Sequence, residues 1–198
     1  MEARARHRFG PRIGISALAL AAVLSPFFAG DVSGKVYLSQ KQALAEAFPD
    51  ASRIDRRTIL LRKSEVAKIE AMTHVKVEVR VVVFHTAYRE DELLGYAHID
   101  VHNVRTKPEA LMIVLSPEGT VRSVRILAFH EPLDYRPTDR WYRQFVGKGK
   151  GEGLRIGRDI HGVAGSTLSA QAAADGVRRM LAYWEVLLRP AEVMTQAP

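Results

Sequence analysis

Between residues 75 and 129 four apolar runs follow one another, each joined to the next by a polar or turn-forming link. Val75-Lys-Val-Glu-Val-Arg-Val81 alternates apolar and polar residues, and Val82-Val83-Phe84 prolongs it, which predicts one long strand. Leu94 to Val101 is its expected hairpin partner across the link Tyr88-Arg-Glu-Asp-Glu92. Ala110 to Leu115 and Val121 to Phe129 form a second hairpin about Ser116-Pro-Glu-Gly119, where Pro fixes φ and Gly supplies a positive one. Successive hairpins of this kind commit a chain to an antiparallel sheet.

Helices are expected on either side of those strands. Ser39-Gln-Lys-Gln42 has the form of a capping box, and its helix runs through Ala43, Leu44 and Ala47 to stop at Pro49. A strand follows at Ile54 to Leu61, then a helix from Ser64-Glu65 to Met72. Pro137 opens a short helix with Trp141, Tyr142 and Phe145, which gives way to the flexible run Gly147 to Gly153. In the final helix Val177, Met180, Leu181, Trp184 and Leu188 share one face, and Pro190 ends it. The expected fold is therefore α+β, a mainly antiparallel sheet with flanking helices, in a single domain.

Charge needs a local reading. The chain has 29 Lys and Arg against 22 Asp and Glu, a net +7. Arg4, Arg6, Arg8 and Arg12 against Glu2 put three of those charges in the first twelve residues. The uncharged, Ala- and Leu-rich stretch Ile13 to Gly30 follows directly. A basic segment, an apolar core and small residues read as an export signal, or as an uncleaved membrane anchor. Residues 1–30 are thus expected to direct the folded part to an extracytoplasmic, periplasmic location, with the basic end inside. The remaining basic residues are interspersed with acids, which argues against a nucleic-acid partner. With no cysteine, the chain has no disulfide, thiol nucleophile, Cys-ligated zinc or iron–sulfur cluster.

Four places invite a chemical reading. His98, Asp100 and His102 share one face of a strand, but same-face neighbours stand about 7 Å apart, so the two histidines are roughly 13 Å apart, too far for one metal without a bulge. An ordinary polar face is the favoured reading. His130-Glu131-Pro132 ends a strand; an acid/base pair and a plain polar turn both fit. The glycine and lysine run 147–153 lacks the spacing of a phosphate loop and reads as a solvated linker. The fourth, Asp159-Ile-His-Gly-Val-Ala-Gly-Ser-Thr-Leu-Ser169, leads straight into the last helix. Capping of that helix by the hydroxyls at Ser166, Thr167 or Ser169 is the favoured reading; a phosphate held at its N-terminus is the alternative.

Ala164-Gly165-Ser166-Thr167-Leu168-Ser169, with Ala172-Ala-Ala-Asp-Gly-Val-Arg178 after it, resembles the Ser-Gly-Ala-Thr-x-Ser motif of FMN-binding domains. Those domains occur in the FMN-carrying components of the Rnf electron-transport complex and of the sodium-pumping NADH:quinone reductase. Leu94-Gly-Tyr-Ala97, the hairpin at Leu111 to Val124 and His130-Glu131-Pro132 resemble further segments of the same family, so the likeness spans roughly residues 90–185. Ala164 and Ser166 stand where the motif has Ser and Ala, His161 where many members have Asp, and no Thr follows Glu131.

The resemblance implies an FMN cofactor tied by a phosphoester to the Thr167 hydroxyl, installed by a separate FAD:protein FMN transferase. It also implies cofactor contacts from Ala164, Gly165, Ser166, Leu168, Ser169, His130 and Glu131. Residues 91–189 would form the FMN-binding domain and residues 31–90 an N-terminal α/β part. The function implied is electron transfer between redox partner proteins of the membrane or envelope, with no catalytic residues of its own. Two alternatives stay open: a non-catalytic envelope binding or sensory module on the same fold, and a flavin-dependent reductase of a small acceptor acting through His130 and Glu131.

Overall fold

The computed structural model describes residues 35–189. The expected signal or anchor at residues 1–30 lies outside them. Among the described residues no helix is long and apolar enough to cross a membrane.

Six strands form one antiparallel sheet: β1 (Lys35–Val36), β2 (Arg53–Leu60), β3 (Val81–Arg89), β4 (Glu92–Asn103), β5 (Pro108–Leu115) and β6 (Val121–Phe129). Their order across the sheet is β1-β6-β5-β4-β3-β2, and every neighbouring pair is antiparallel. Helices α1 (Gln40–Ala47), α2 (Lys63–Thr73), α3 (Asp139–Tyr142) and α4 (Thr167–Tyr183) flank it. The expected α+β architecture holds, and residues 31–90 and 91–189 contribute strands to the same sheet.

The larger core fills the face under α2, α3 and α4, where Phe84, Leu111, Ile113, Phe145, Val177 and Met180 interlock. A smaller one lies beneath α1 on the other face, around Ala43, Leu44, Phe48, Ala97, Met112 and Val114. Helix α1 is only eight residues long and covers part of that face. Its start is the expected capping box: the Gln42 amide donates to Ser39 Oγ, and the Ser39 amide donates to Gln42 Oε1 at 3.1 Å. Helix α2 begins one residue before the expected Ser64, because the Glu65 carboxylate reaches back to the Arg62 amide at 2.8 Å.

The clearest strand of the sequence is displaced. Residues 75–80 join no strand ladder, and β3 starts only at Val81; the Val77 amide donates instead to Glu70 Oε1 and the Arg80 carbonyl accepts from the Leu61 amide, each at 2.8 Å. Two neighbours are missing. Strand β2 ends opposite Val81, at Leu60, before the chain turns into α2. On the other side the β3–β4 ladder ends at Phe84 opposite His98, so β4 continues from Ile99 to Asn103 against β5 alone. Alternation marks a two-faced extended segment, but a strand also needs a partner for its backbone. The sheet therefore forks between residues 75–83 and 99–103.

Candidate functional site

The last helix is introduced by a loop that two contacts fix to α3 and to the turn Arg143–Phe145 that follows it. Trp141 Nε1 donates to the His161 carbonyl at 2.6 Å, and the His161 amide donates to Gln144 Oε1 at 2.8 Å. A tight turn follows, in which the Ser166 amide donates to the Val163 carbonyl at 3.1 Å. Ser166 occupies the N-cap position of α4, yet no side chain caps the helix. Its hydroxyl points inward and donates to the Asp134 carbonyl at 3.3 Å, and Ser169 Oγ donates to the Tyr135 carbonyl at 2.6 Å. Both serines are buried, whereas Ala164, Gly165, Thr167 and Leu168 are exposed. A side chain at Gly165 would meet nothing within 4 Å, so open space adjoins the turn.

The carbonyls that receive Ser166 and Ser169 belong to the single turn Leu133–Tyr135, which directly follows His130-Glu131-Pro132. Two segments that the sequence holds far apart thus lie against each other. Glu131 Oε1 accepts three backbone N–H groups, from Arg105, Thr106 and Lys107, at 3.2, 2.7 and 2.9 Å. Those bonds hold its carboxyl below the usual range, in its charged form. The carboxylate closes the β4–β5 loop, a structural use that leaves it a weak base. His130 Nδ1 lies 3.2 Å from the Pro108 carbonyl and donates to it.

About three turns further along α4 lies a cluster that sequence reading treated as an ordinary polar face. His98, Asp100 and His102 do share a face of β4, but that face lies under α4 and all three are largely shielded from water. Arg179 donates to both Asp100 oxygens, with Nη2 at 2.7 Å from Oδ2 and Nε at 3.2 Å from Oδ1. His102 bridges two carboxylates, with Nδ1 at 2.7 Å from Asp100 and Nε2 at 3.3 Å from the fully buried Glu109. The Tyr142 hydroxyl donates to the second Glu109 oxygen at 3.2 Å.

Burial disfavours a charged His102, but hydrogen bonds to Asp100 and Glu109 override it and lift its pKa to about 9. Burial likewise opposes ionisation of Asp100, and the bonds from His102 and Arg179 outweigh it and hold the carboxyl well below the usual range. An imidazolium and a guanidinium thus balance two carboxylates, which is the condition for keeping four charges out of water. His98 differs. Burial pushes it below the usual imidazole range, and it donates Nδ1–H to the Val83 carbonyl at 2.9 Å as a neutral ring. Among the described residues no group of three His, Asp or Glu side chains is arranged to hold a metal ion.

The fork between β3 and β4 opens above this cluster as a cleft of about 530 Å³. Residues 75–79 form one wall, β4 the floor, and Ala172, Asp175, Arg179 and Tyr183 of α4 the other wall. Sequence reasoning missed Glu109, Tyr142 and Arg179 as partners of the β4 trio. One signal was available: an arginine three residues after Gly176, on the packed side of an apolar helix, needs a buried anion and the room to approach it. No family model matches the chain, and no curated protein matches it.

Proposed function

We propose that the chain is an extracytoplasmic FMN-binding electron-transfer protein, with the cofactor joined by a phosphoester to Thr167. The observation that carries this reading is the division of labour among the hydroxyls at the start of α4. Ser166 and Ser169 are buried and spent on the carbonyls of Asp134 and Tyr135, which leaves Thr167 as the exposed hydroxyl of the motif. The first turn of α4 has no side-chain cap, so its amides and the helix dipole are free to favour a phosphate there.

The residues present fit such a group. Open space borders Gly165, and the two segments that pack together each present an exposed leucine, Leu168 and Leu133, to a flat apolar ring. FMN, when bound, supplies the passage of one or two electrons. The protein's part is to hold the phosphate and orient the ring. It does so with a loop pinned by Trp141 and Gln144 and a neighbouring loop closed by Glu131. The partners on this reading are redox proteins of the membrane or envelope and the FAD:protein FMN transferase.

Intact mass tests the reading directly. Protein produced with the transferase should be heavier than protein produced without it by the mass of one FMN less one water, since the threonine oxygen takes the FMN phosphoryl of FAD and AMP leaves, and its flavin absorption should survive denaturation. Thr167→Ala should carry no added mass while keeping its fold. An unmodified parent chain, or a modified Thr167→Ala variant, overturns the assignment of Thr167.

A further inference from the structure

The sheet face that α1 shares is only half covered. Beyond the helix, the cross-strand register sets Val36, Ala128, Ala110 and Val101 in one row across β1, β6, β5 and β4. Val81 and Leu60, paired across β3 and β2, continue the same face beyond the fork. Val36, Val101 and Leu60 are 67%, 66% and 65% exposed and Val81 52%, so side chains that would form a third layer of core face water.

The same end of the sheet is basic. Lys35 starts β1, Arg62 and Lys63 follow β2, Arg80 precedes β3, and Arg105 and Lys107 lie between β4 and β5. The acids nearby are Glu78, the Arg62-bound Glu65, the Glu131 that closes the β4–β5 loop and Asp134, so the basic residues outnumber them. At the other end the two turns are acidic, with Glu90, Asp91 and Glu92 at the β3–β4 turn and Glu118 at the β5–β6 turn, although Arg53, Arg89 and Arg122 lie beside them and Arg89 pairs with Glu92. Residues 13–30, the uncharged stretch, join the described chain at the basic end too, through the few residues before Lys35.

Apolar surface, positive charge and attachment point thus coincide at one end of the sheet. We propose that this end seats on an anionic lipid bilayer, the exposed valines and Leu60 entering the headgroup boundary and the lysines and arginines meeting lipid phosphates. A broad pleated face with basic residues at its rim suits a planar anionic surface, and the acidic end turns the molecule to one orientation. Attachment through residues 13–30 would raise the local concentration of the face at the bilayer; a cleaved chain would rely on area and charge alone. Seating of this kind does not depend on the cofactor.

The absence of cysteine allows a clean test on the full chain. An environment-sensitive nitrobenzoxadiazole probe is attached at Val101→Cys, at Leu60→Cys, and at Glu118→Cys on the acidic end. On vesicles of equal phosphatidylglycerol and phosphatidylcholine, the probes at 101 and 60 should shift to the blue and brighten while the probe at 118 does not. Added salt, or Lys35→Glu with Lys107→Glu, should lower the shifted fraction on the order of tenfold. An unchanged probe at 101 overturns the proposal, as does an equal response on phosphatidylcholine alone. A blue-shifted probe before vesicles are added also overturns it: a shift independent of concentration assigns the cover to the chain itself, and one that grows with concentration assigns it to a second copy.

Discussion

Replacing a glycine inside a helix with alanine ordinarily stabilises the helix by about 1 kcal/mol. Gly176 of α4 should behave in the opposite sense. A methyl group there would lie 2.7 Å from Asp100 Oδ2 and 3.3 Å from its carboxyl carbon, so the carboxylate must retreat from the helix that holds Arg179. His102 loses its close contact with Asp100 in the same movement. Its pKa rises from 6.5 to about 9 on folding; at about 1.4 kcal/mol per unit this corresponds to roughly 3 kcal/mol favouring the folded state. Because the folded value is the higher one, that contribution is complete below pH 6.5 and fades as pH rises through 9. Even a partial loss exceeds the gain in helix propensity, so Gly176→Ala should destabilise the protein by about 1–2 kcal/mol at neutral pH. Urea denaturation between pH 6 and 10 measures this, with the His102 titration followed by NMR. The parent should weaken toward pH 10, and the variant should show a flatter profile and a lower His102 pKa. A variant more stable than its parent by the helix-propensity amount, with His102 titrating unchanged, would refute the argument.

Glu131→Ala removes the acceptor of three backbone amides and should cost about 2 kcal/mol; hydrogen exchange at Arg105, Thr106 and Lys107 should accelerate well beyond that of the β5 amides. Gly119→Ala combines a φ of +84° with a methyl group 2.5 Å from the Trp184 indole, so a loss of about 3 kcal/mol and a changed Trp184 fluorescence are expected. Burial holds His85 and His98 below the ordinary imidazole range, and each takes up a proton more readily once unfolded. Stability should therefore fall as pH drops below 6.5, and His98→Asn should reduce that slope in acid denaturation while leaving the alkaline slope of His102 intact.

Periodicity made the fold legible where a segment's neighbours follow it closely in sequence. The hairpin about Ser116-Pro-Glu-Gly119 closes locally, and so does the capping box at Ser39, and both stand as expected. Residues 75–80 were misread because their pattern reports two faces and cannot report whether a partner strand is present. The same limit applies at the site. That Ser166 and Ser169 spend their hydroxyls on Asp134 and Tyr135 depends on a contact across more than thirty positions, which no local pattern encodes. His98, Asp100 and His102 were visible as a polar row, but whether such a row meets water or a helix is decided by α4, which joins it from 79 residues away in the case of Arg179.

The Asp100–Arg179 pair also acts as a gauge of length. A helix packed on a sheet by apolar contacts alone can slide, since one leucine or alanine fits nearly as well as the next. A slip of α4 by one turn would carry Arg179 about 5.4 Å along its axis and strand it and Asp100 unpaired in the core, an outcome far costlier than misplaced apolar contacts. Only one axial setting satisfies both charges. The opposite end of the same rigid rod begins at Thr167, so the ion pair fixes, from three turns away, how far that hydroxyl stands from the Leu133–Tyr135 turn.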